Sequence, residues 1–132
     1  MRKIVLDIDG TISLTSNGDY ENAQVIQSTK AKLLAYQQQG FEIILYTSRN
    51  MRTYENNTGK INAKTTPVLI DWLEKNGIPF DELHIGKPWC GDQGFYVDDR
   101  AIRPDEFASL TPSEIEDLLT AAANKLKRAE GI

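Results

Sequence analysis

Asp7 and Asp9, two carboxylates one residue apart, end the apolar run Ile4-Val5-Leu6 and are followed at once by Gly10 and Thr11. Side chains two apart on an extended chain share a face, so the pair is expected to converge. Converging carboxylates repel, and one of them would hold a proton at neutral pH unless a cation stood between them. An oxygen-seeking divalent ion, Mg2+ being the best fit, would let both stay ionised. Such a pair offers a nucleophile that can attack phosphorus and a group that can carry a proton. Gly10 lets the chain turn, and main-chain amides around Gly10 and Thr11 can then approach an anionic ligand. Taken alone, Asp-Ile-Asp-Gly is equally an acidic turn after a strand.

Three further apolar segments run into polar residues in the same way. Phe41 to Tyr46 leads to Thr47-Ser48-Arg49, Leu83 to Gly86 leads to Lys87, and Gly94 to Val97 leads to Asp98-Asp99. A hydroxyl and an ammonium at strand ends are suited to neutralising the oxygens of a transferring phosphoryl group, a role for Thr47 and Lys87. Ser48 is the alternative to Thr47, which strand parity favours. Asp98 and Asp99 are candidate metal ligands; neighbours on a strand point oppositely, so one of them is expected to be the direct ligand unless the chain turns there. Arg49, Arg52 and Lys60 place three cations in the loop that starts at the second strand end, and could hold a second anionic group by charge-assisted hydrogen bonds. Trp89, in a polar loop, could stack on a sugar ring. The plainer readings are a solvated loop for Lys87 and the loop cations, a turn cap for the Asp98-Asp99 pair, a packed histidine for His84 and an inert thiol for Cys90.

The elements that must carry these residues alternate between strand and helix. Unbroken apolar runs point to strands covered on both faces, the habit of a parallel sheet, and such sheets bind ligands beyond the carboxyl ends of their strands. Ile12 to Tyr20, with Asn17-Gly18 at its tip, reads as a small hairpin beside the carboxylates. Between Asn22 and Gln39, Ile26, Thr29, Leu33 and Tyr36 recur at helical spacing and Gly40 follows as a cap. Asn50 to Lys64 reads as a polar loop. Thr66 and Pro67 open a helix with Val68, Leu69, Trp72 and Leu73 as its stripe, closed by Gly77 and Pro79. The link from Lys87 to Gly94 is eight residues, too short for a helical crossover, yet it can extend to about 27 Å and so reach a parallel position without a helix. Thr111-Pro112-Ser113-Glu114 is a capping box that opens a last helix with Ile115, Leu118, Leu119, Ala122 and Leu126 at helical spacing.

A chain of 132 residues with 40% hydrophobic and 26% charged residues is expected to form a single α/β domain, 1–132. Its net charge of -4 argues against a nucleic-acid partner, which is held mainly by clustered Lys and Arg. One cysteine suits a reducing compartment, and no apolar run approaches the ~18 residues of a membrane span, so the cytoplasm is the expected address.

The stretch Asp7-Ile8-Asp9-Gly10-Thr11, the hydroxyl pair Thr47-Ser48, Lys87 and the Asp98-Asp99 pair together resemble, in order and context, the four motifs of the haloacid dehalogenase superfamily of phosphatases. More narrowly, Thr47 to Tyr54, Gly86 to Gly91 and Val97 to Pro104 are similar to the small phosphatases of capsular polysaccharide biosynthesis. The resemblance implies a Rossmann-like sheet, Mg2+ dependence and hydrolysis of a small phosphorylated substrate, a sugar phosphate. It further implies that Asp9 gives a proton to the leaving oxygen and takes one from water, and that its main-chain carbonyl helps hold Mg2+. Members often carry a cap domain, but the two insertion points here, Ile12 to Glu21 and Asn50 to Lys64, are far shorter than the ~50 residues of a domain. An open site is therefore expected, with room for a neighbouring subunit of a homo-oligomer to complete it. Two rivals stand beside this reading. A phospho-acceptor signalling domain would need an acid after the third strand, where Gly86-Lys87 stands; a noncatalytic binding module would be expected to have lost the nucleophile, the acid or the metal ligands.

Overall fold

The computed structural model describes residues Arg2 to Ile132 and divides into two compact units, one running to Trp89 and the other Cys90–Ile132. In the first unit, β1 (Lys3–Leu6), β4 (Glu42–Tyr46) and β5 (Glu82–His84) form a parallel sheet in the order β1-β4-β5. Lys3 lies beside Glu42 and Leu6 beside Leu45, while Ile44 to Tyr46 run alongside Glu82 to His84. β4 is central, and its Ile43, Ile44 and Leu45 are buried as an unbroken apolar run requires. β1 departs from that expectation. It is an edge strand of the three, and Val5, alternating away from Leu6, is 61% exposed.

Helices connect the parallel strands, as they must when a chain returns to the same sheet end. α1 (Gln27–Gln38) joins β1 to β4, and α2 (Thr58–Lys64) and α3 (Thr66–Lys75) join β4 to β5. α1 buries Thr29, Leu33 and Tyr36. Gly40, at φ +87°, lets the Phe41 amide reach back to the Tyr36 carbonyl at 3.1 Å while its own amide bonds Gln37. The Tyr36 and Phe41 rings then meet edge to face at 4.8 Å, the apolar clasp that accompanies this helix ending.

The helix begins later than periodicity suggested. Gln24–Val25 (β3) pairs antiparallel with Ser13–Leu14 (β2), and Tyr20–Asn22 is a single 3-10 turn, so the segment from Asn22 to Ile26 belongs to the flap. Asn17 and Gly18 take positive φ at its tip, and the Trp72 indole of α3 donates to the Ala23 carbonyl at 3.0 Å, tying the flap down.

Two expectations are corrected for Asn50 to Lys64 and the helix after it. The stretch is not all loop, because α2 occupies its second half. Asn57 caps that helix by accepting from the Lys60 amide at 3.1 Å, and Ile61 is its one buried residue; a single apolar anchor leaves no periodicity to read. The cap of α3 is Thr65, one residue before Thr66, so α2 passes almost directly into α3.

In the second unit the expected strand Gly94 to Val97 does not form. Phe95, Tyr96 and Val97 are 79%, 50% and 86% exposed, and the described residues of this unit hold helices and turns only. A strand exists only through a ladder, and nothing inside the unit offers an edge. α4 (Pro104–Ser109) was not anticipated, although Pro104 at its start and Glu106, which accepts from the Arg103 amide at 2.8 Å, are both start signals. α5 (Pro112–Ala129) opens with the expected capping box, Thr111 accepting from the Glu114 amide at 3.2 Å and Glu114 from the Thr111 amide at 2.9 Å.

Candidate active site

The chain leaves β1 at Leu6 and makes a closed turn around one carbonyl. Ile8 O accepts the amides of Thr11, Ile12 and Ser13 at 3.1, 2.8 and 3.1 Å, and the Gly10 amide donates to Ser13 O at 2.8 Å. Ile8 and Ile12 are fully buried and anchor the turn, while Gly10 sits at φ +85°, open only to glycine without strain. The Gly10 and Thr11 amides, expected to face a ligand, thus donate inside the turn.

Asp7 and Asp9 flank this turn and feel each other, but each has its own cation. Asp7 Oδ1 stands 3.6 Å from Lys87 Nζ. Burial raises the Asp7 carboxyl above its ordinary value; the Lys87 charge and the Ile8 amide pull it down, and Asp9 adds to the rise. Lys87 is delivered by the sheet. Thr47 N–H donates to His84 O at 2.9 Å and Thr47 O accepts the Lys87 amide at 3.1 Å, so the β4-β5 ladder continues past both strands. The bland reading of Lys87 as a solvated loop residue does not hold.

Thr47 is buried, and its Oγ1 accepts the Arg49 amide at 3.0 Å. That bond uses an oxygen lone pair and leaves the O–H proton to donate elsewhere. Arg49 turns its guanidinium onto Asp9, Nε to Oδ2 at 3.1 Å and Nη2 to Oδ1 at 2.8 Å, with its side chain only 2% exposed. Its other contact is the Tyr20 ring, 4.2 Å from Cζ to the centroid. The expectation of an open loop cation does not describe Arg49. Sequence reasoning missed Tyr20, whose only signal was an aromatic among the flap's turn residues.

Beside Asp9 opens a cavity of about 540 Å3 within the first unit. Leu14, Thr15 and Tyr20 of the flap line it together with Ser48, Asn50, Arg52, Thr53 and Trp89. Arg52 lies over the Trp89 ring at 5.6 Å. Lys60 is exposed on α2 and does not line the cavity. His84, expected to be packed, is exposed and holds Glu82 at 2.8 Å. Asp98 and Asp99 sit on an exposed turn of the second unit, where Asp98 accepts the Arg100 amide at 2.8 Å.

Haloacid dehalogenase-like hydrolases, as a family, match residues 4–83, which include the acidic turn, Thr47 and the flap. The chain belongs to this family. The hydrolase is similar to a crystal structure from Vibrio cholerae at 49% identity, over 92% of this chain and 98% of that one, with a TM-score of 0.90. More distant likenesses are a D,D-heptose 1.7-bisphosphate phosphatase from B. bronchiseptica complexed with magnesium and phosphate (15% identity, 100% of this chain and 65% of that one, TM-score 0.47) and the Pnkp1/Rnl/Hen1 RNA repair complex (22% identity, 70% and 27%, TM-score 0.46). No curated protein matches. The expected mixed α/β architecture, a parallel sheet flanked by helices, is what the family and the structure share. The hydrolase is thus an enzyme, and the phosphatase reading of its residues agrees with its family.

The family implies a divalent metal, and the donor chemistry fits one. Among the described residues no three His, Cys, Asp or Glu side chains gather as a ready cage. Mg2+ needs none, since it keeps several waters and takes one or two carboxylates together with substrate oxygens. Asp7 supplies a part-desolvated carboxylate whose ionised form a cation would favour. Asp9 has both carboxylate oxygens on Arg49, and its main-chain carbonyl is a further oxygen donor.

Proposed function

We propose that this hydrolase is a Mg2+-dependent phosphomonoesterase working through an aspartyl-phosphate on Asp7. The observation that carries the reading is the Asp7–Lys87 pair at 3.6 Å, held by the ladder that also carries Thr47. A carboxylate oxygen of Asp7 attacks phosphorus as the bond to the leaving oxygen breaks, and the proton on Asp9 passes to that oxygen. Water then attacks the aspartyl-phosphate, gives its proton to Asp9 and releases phosphate, restoring both groups. Lys87 and the Thr47 hydroxyl balance charge on the transferring oxygens. When bound, Mg2+ would supply further positive charge there, held by Asp7 and the Asp9 carbonyl.

For the substrate we infer a small phosphorylated metabolite, a sugar phosphate of capsule or surface polysaccharide synthesis, handled in the cytoplasm. The cavity beside Asp9 supports this: hydroxyls and amides of Thr15, Ser48, Asn50 and Thr53 suit a polyhydroxyl ring, Trp89 offers a face, and Arg52 offers one cation for a second anionic group. No helix among the described residues is long and apolar enough to cross a membrane. A homo-oligomer completing the open site and a single domain spanning both units belong to the same proposal. Turnover of p-nitrophenyl phosphate with Mg2+, lost in Asp7→Asn while the circular dichroism spectrum is kept, tests the reading; wild-type kcat in Asp7→Asn would refute it.

A further inference from the structure

Arg49 presents a question that phosphate binding does not answer. A guanidinium in a loop beside a phosphate-handling site would be expected to face the anion, yet both its Asp9 contacts are closed, at 2.8 and 3.1 Å, and the side chain, though it lines the cavity, is only 2% exposed. Its position is set from three sides. The Thr47 hydroxyl accepts its amide at 3.0 Å, Asp9 takes two of its N–H groups, and the Tyr20 ring lies against it at 4.2 Å. Two parallel N–H to O bonds fix the plane of a carboxylate as well as its place, which one bond from a lysine cannot do. Each Asp9 oxygen keeps a second lone pair, so the clamp leaves the outer side of the carboxylate open.

We infer that Arg49 is a positioning residue for proton transfer: it sets the plane of the Asp9 carboxylate, and Tyr20, as its roof, makes that alignment depend on the flap. The inference rests on the phosphatase reading above. Tyr20 lies between the two strands of the flap and lines the cavity with Leu14 and Thr15, and its 3-10 turn leads to Ala23, which Trp72 holds. A substrate that displaces the flap therefore acts on the roof of Arg49 and through it on Asp9. The competing account is that the Arg49–Asp9 pair only holds the turn and the β4 end together. Such a role would lower stability, and turnover of every substrate alike.

The two accounts separate on leaving groups. p-Nitrophenyl phosphate releases a stable anion and needs little protonation, whereas phenyl phosphate needs the acid. In Arg49→Lys, which keeps the charge and loses the two-point contact, kcat for phenyl phosphate should fall about tenfold or more beyond any fall for p-nitrophenyl phosphate, a fraction of the ~10²–10⁴ that acid–base assistance is worth. Asp9→Asn should show a larger split of the same sense, and adding Arg49→Lys to it should widen the split no further. Tyr20→Leu should show a smaller split, and Tyr20→Phe, which keeps the ring, should restore the wild-type ratio of the two rates. The Tyr20 pair decides the matter if Arg49→Lys does not fold. Equal losses on both substrates, or a wild-type ratio in Tyr20→Leu, would overturn the inference and leave the phosphatase reading standing. Wild-type enzyme inert toward both esters with Mg2+ would overturn that reading first and this inference with it.

Discussion

Replacing Thr47 by Val removes one hydroxyl at nearly constant shape, and the structure gives that hydroxyl two separable duties. As an acceptor it satisfies the Arg49 amide at 3.0 Å in a buried setting. An orphaned buried donor costs about 1–3 kcal/mol, and the added methyl returns part of that through apolar burial, so a net loss of about 1–2 kcal/mol is expected. With a urea m-value near 2 kcal/mol/M, the unfolding midpoint should drop by about 0.5–1 M at unchanged m. As a donor to a phosphoryl oxygen, the hydroxyl makes a charge-assisted bond worth about 1.5–3 kcal/mol, which at 1.36 kcal/mol per decade is about 10- to 150-fold in kcat/KM. Urea unfolding followed by tryptophan fluorescence and steady-state hydrolysis of p-nitrophenyl phosphate read the two effects independently. Thr47→Ser should retain most of both. Wild-type kcat/KM with lowered stability would show the hydroxyl to be a structural acceptor alone; lost kcat/KM at wild-type stability would show that the Arg49 amide contact does not hold the turn.

Asp7 yields a pH-dependent prediction. Burial raises its carboxyl in the folded protein, so the folded state holds that proton more tightly than the unfolded chain, and stability is lost as pH rises from the unfolded value near 4 through the folded one. In EDTA, Asp7→Asn should therefore gain stability relative to wild type between pH 3.5 and 7, measured by urea titration at each pH; a difference that is flat with pH contradicts the burial argument. Chelation with EDTA should silence hydrolysis and Mg2+ should restore it, with Ca2+ a poor substitute because its looser, larger oxygen shell misplaces nucleophile and phosphate; full activity in metal-free buffer rules the metal out. Arg52→Ala should leave stability within about 1 kcal/mol, since an exposed stack on Trp89 is worth no more. The same variant should raise KM about tenfold for a sugar phosphate bearing a second anionic group and little for p-nitrophenyl phosphate; equal changes in both would return Arg52 to a structural role.

Much of the fold was legible because its signals are local. The turn at Asp7 to Thr11 needs a glycine at positive φ four residues after a strand, the end of α1 needs Gly40 followed by an apolar residue, and the start of α5 needs Thr111 and Glu114 three apart. Each is settled by neighbours within a few residues, so the sequence alone determined it, as it did the succession of β1, α1, β4, α3 and β5 in the first unit. The missed elements were those with weak or misleading local signals: α2 buries one side chain, and β3, two residues long, lies in the stretch whose periodicity reads as the start of α1.

What only the tertiary structure decided is which charges meet. Nothing near Arg49 in sequence says that its guanidinium closes on Asp9, or that Lys87 is carried to Asp7 by a ladder continuing beyond β5. These pairings follow from strand order and register, which bring residues distant in sequence to one sheet end. The segment Phe95 to Val97 teaches the converse: its composition favours a strand, but backbone pairing requires a partner edge, and within its own unit there is none. Residue types at four expected strand ends declared the chemistry; the sheet determined that Asp7 faces Lys87 and that Asp9 is held by Arg49, because charge pairing depends on distance in space and sequence specifies that distance only through the whole fold.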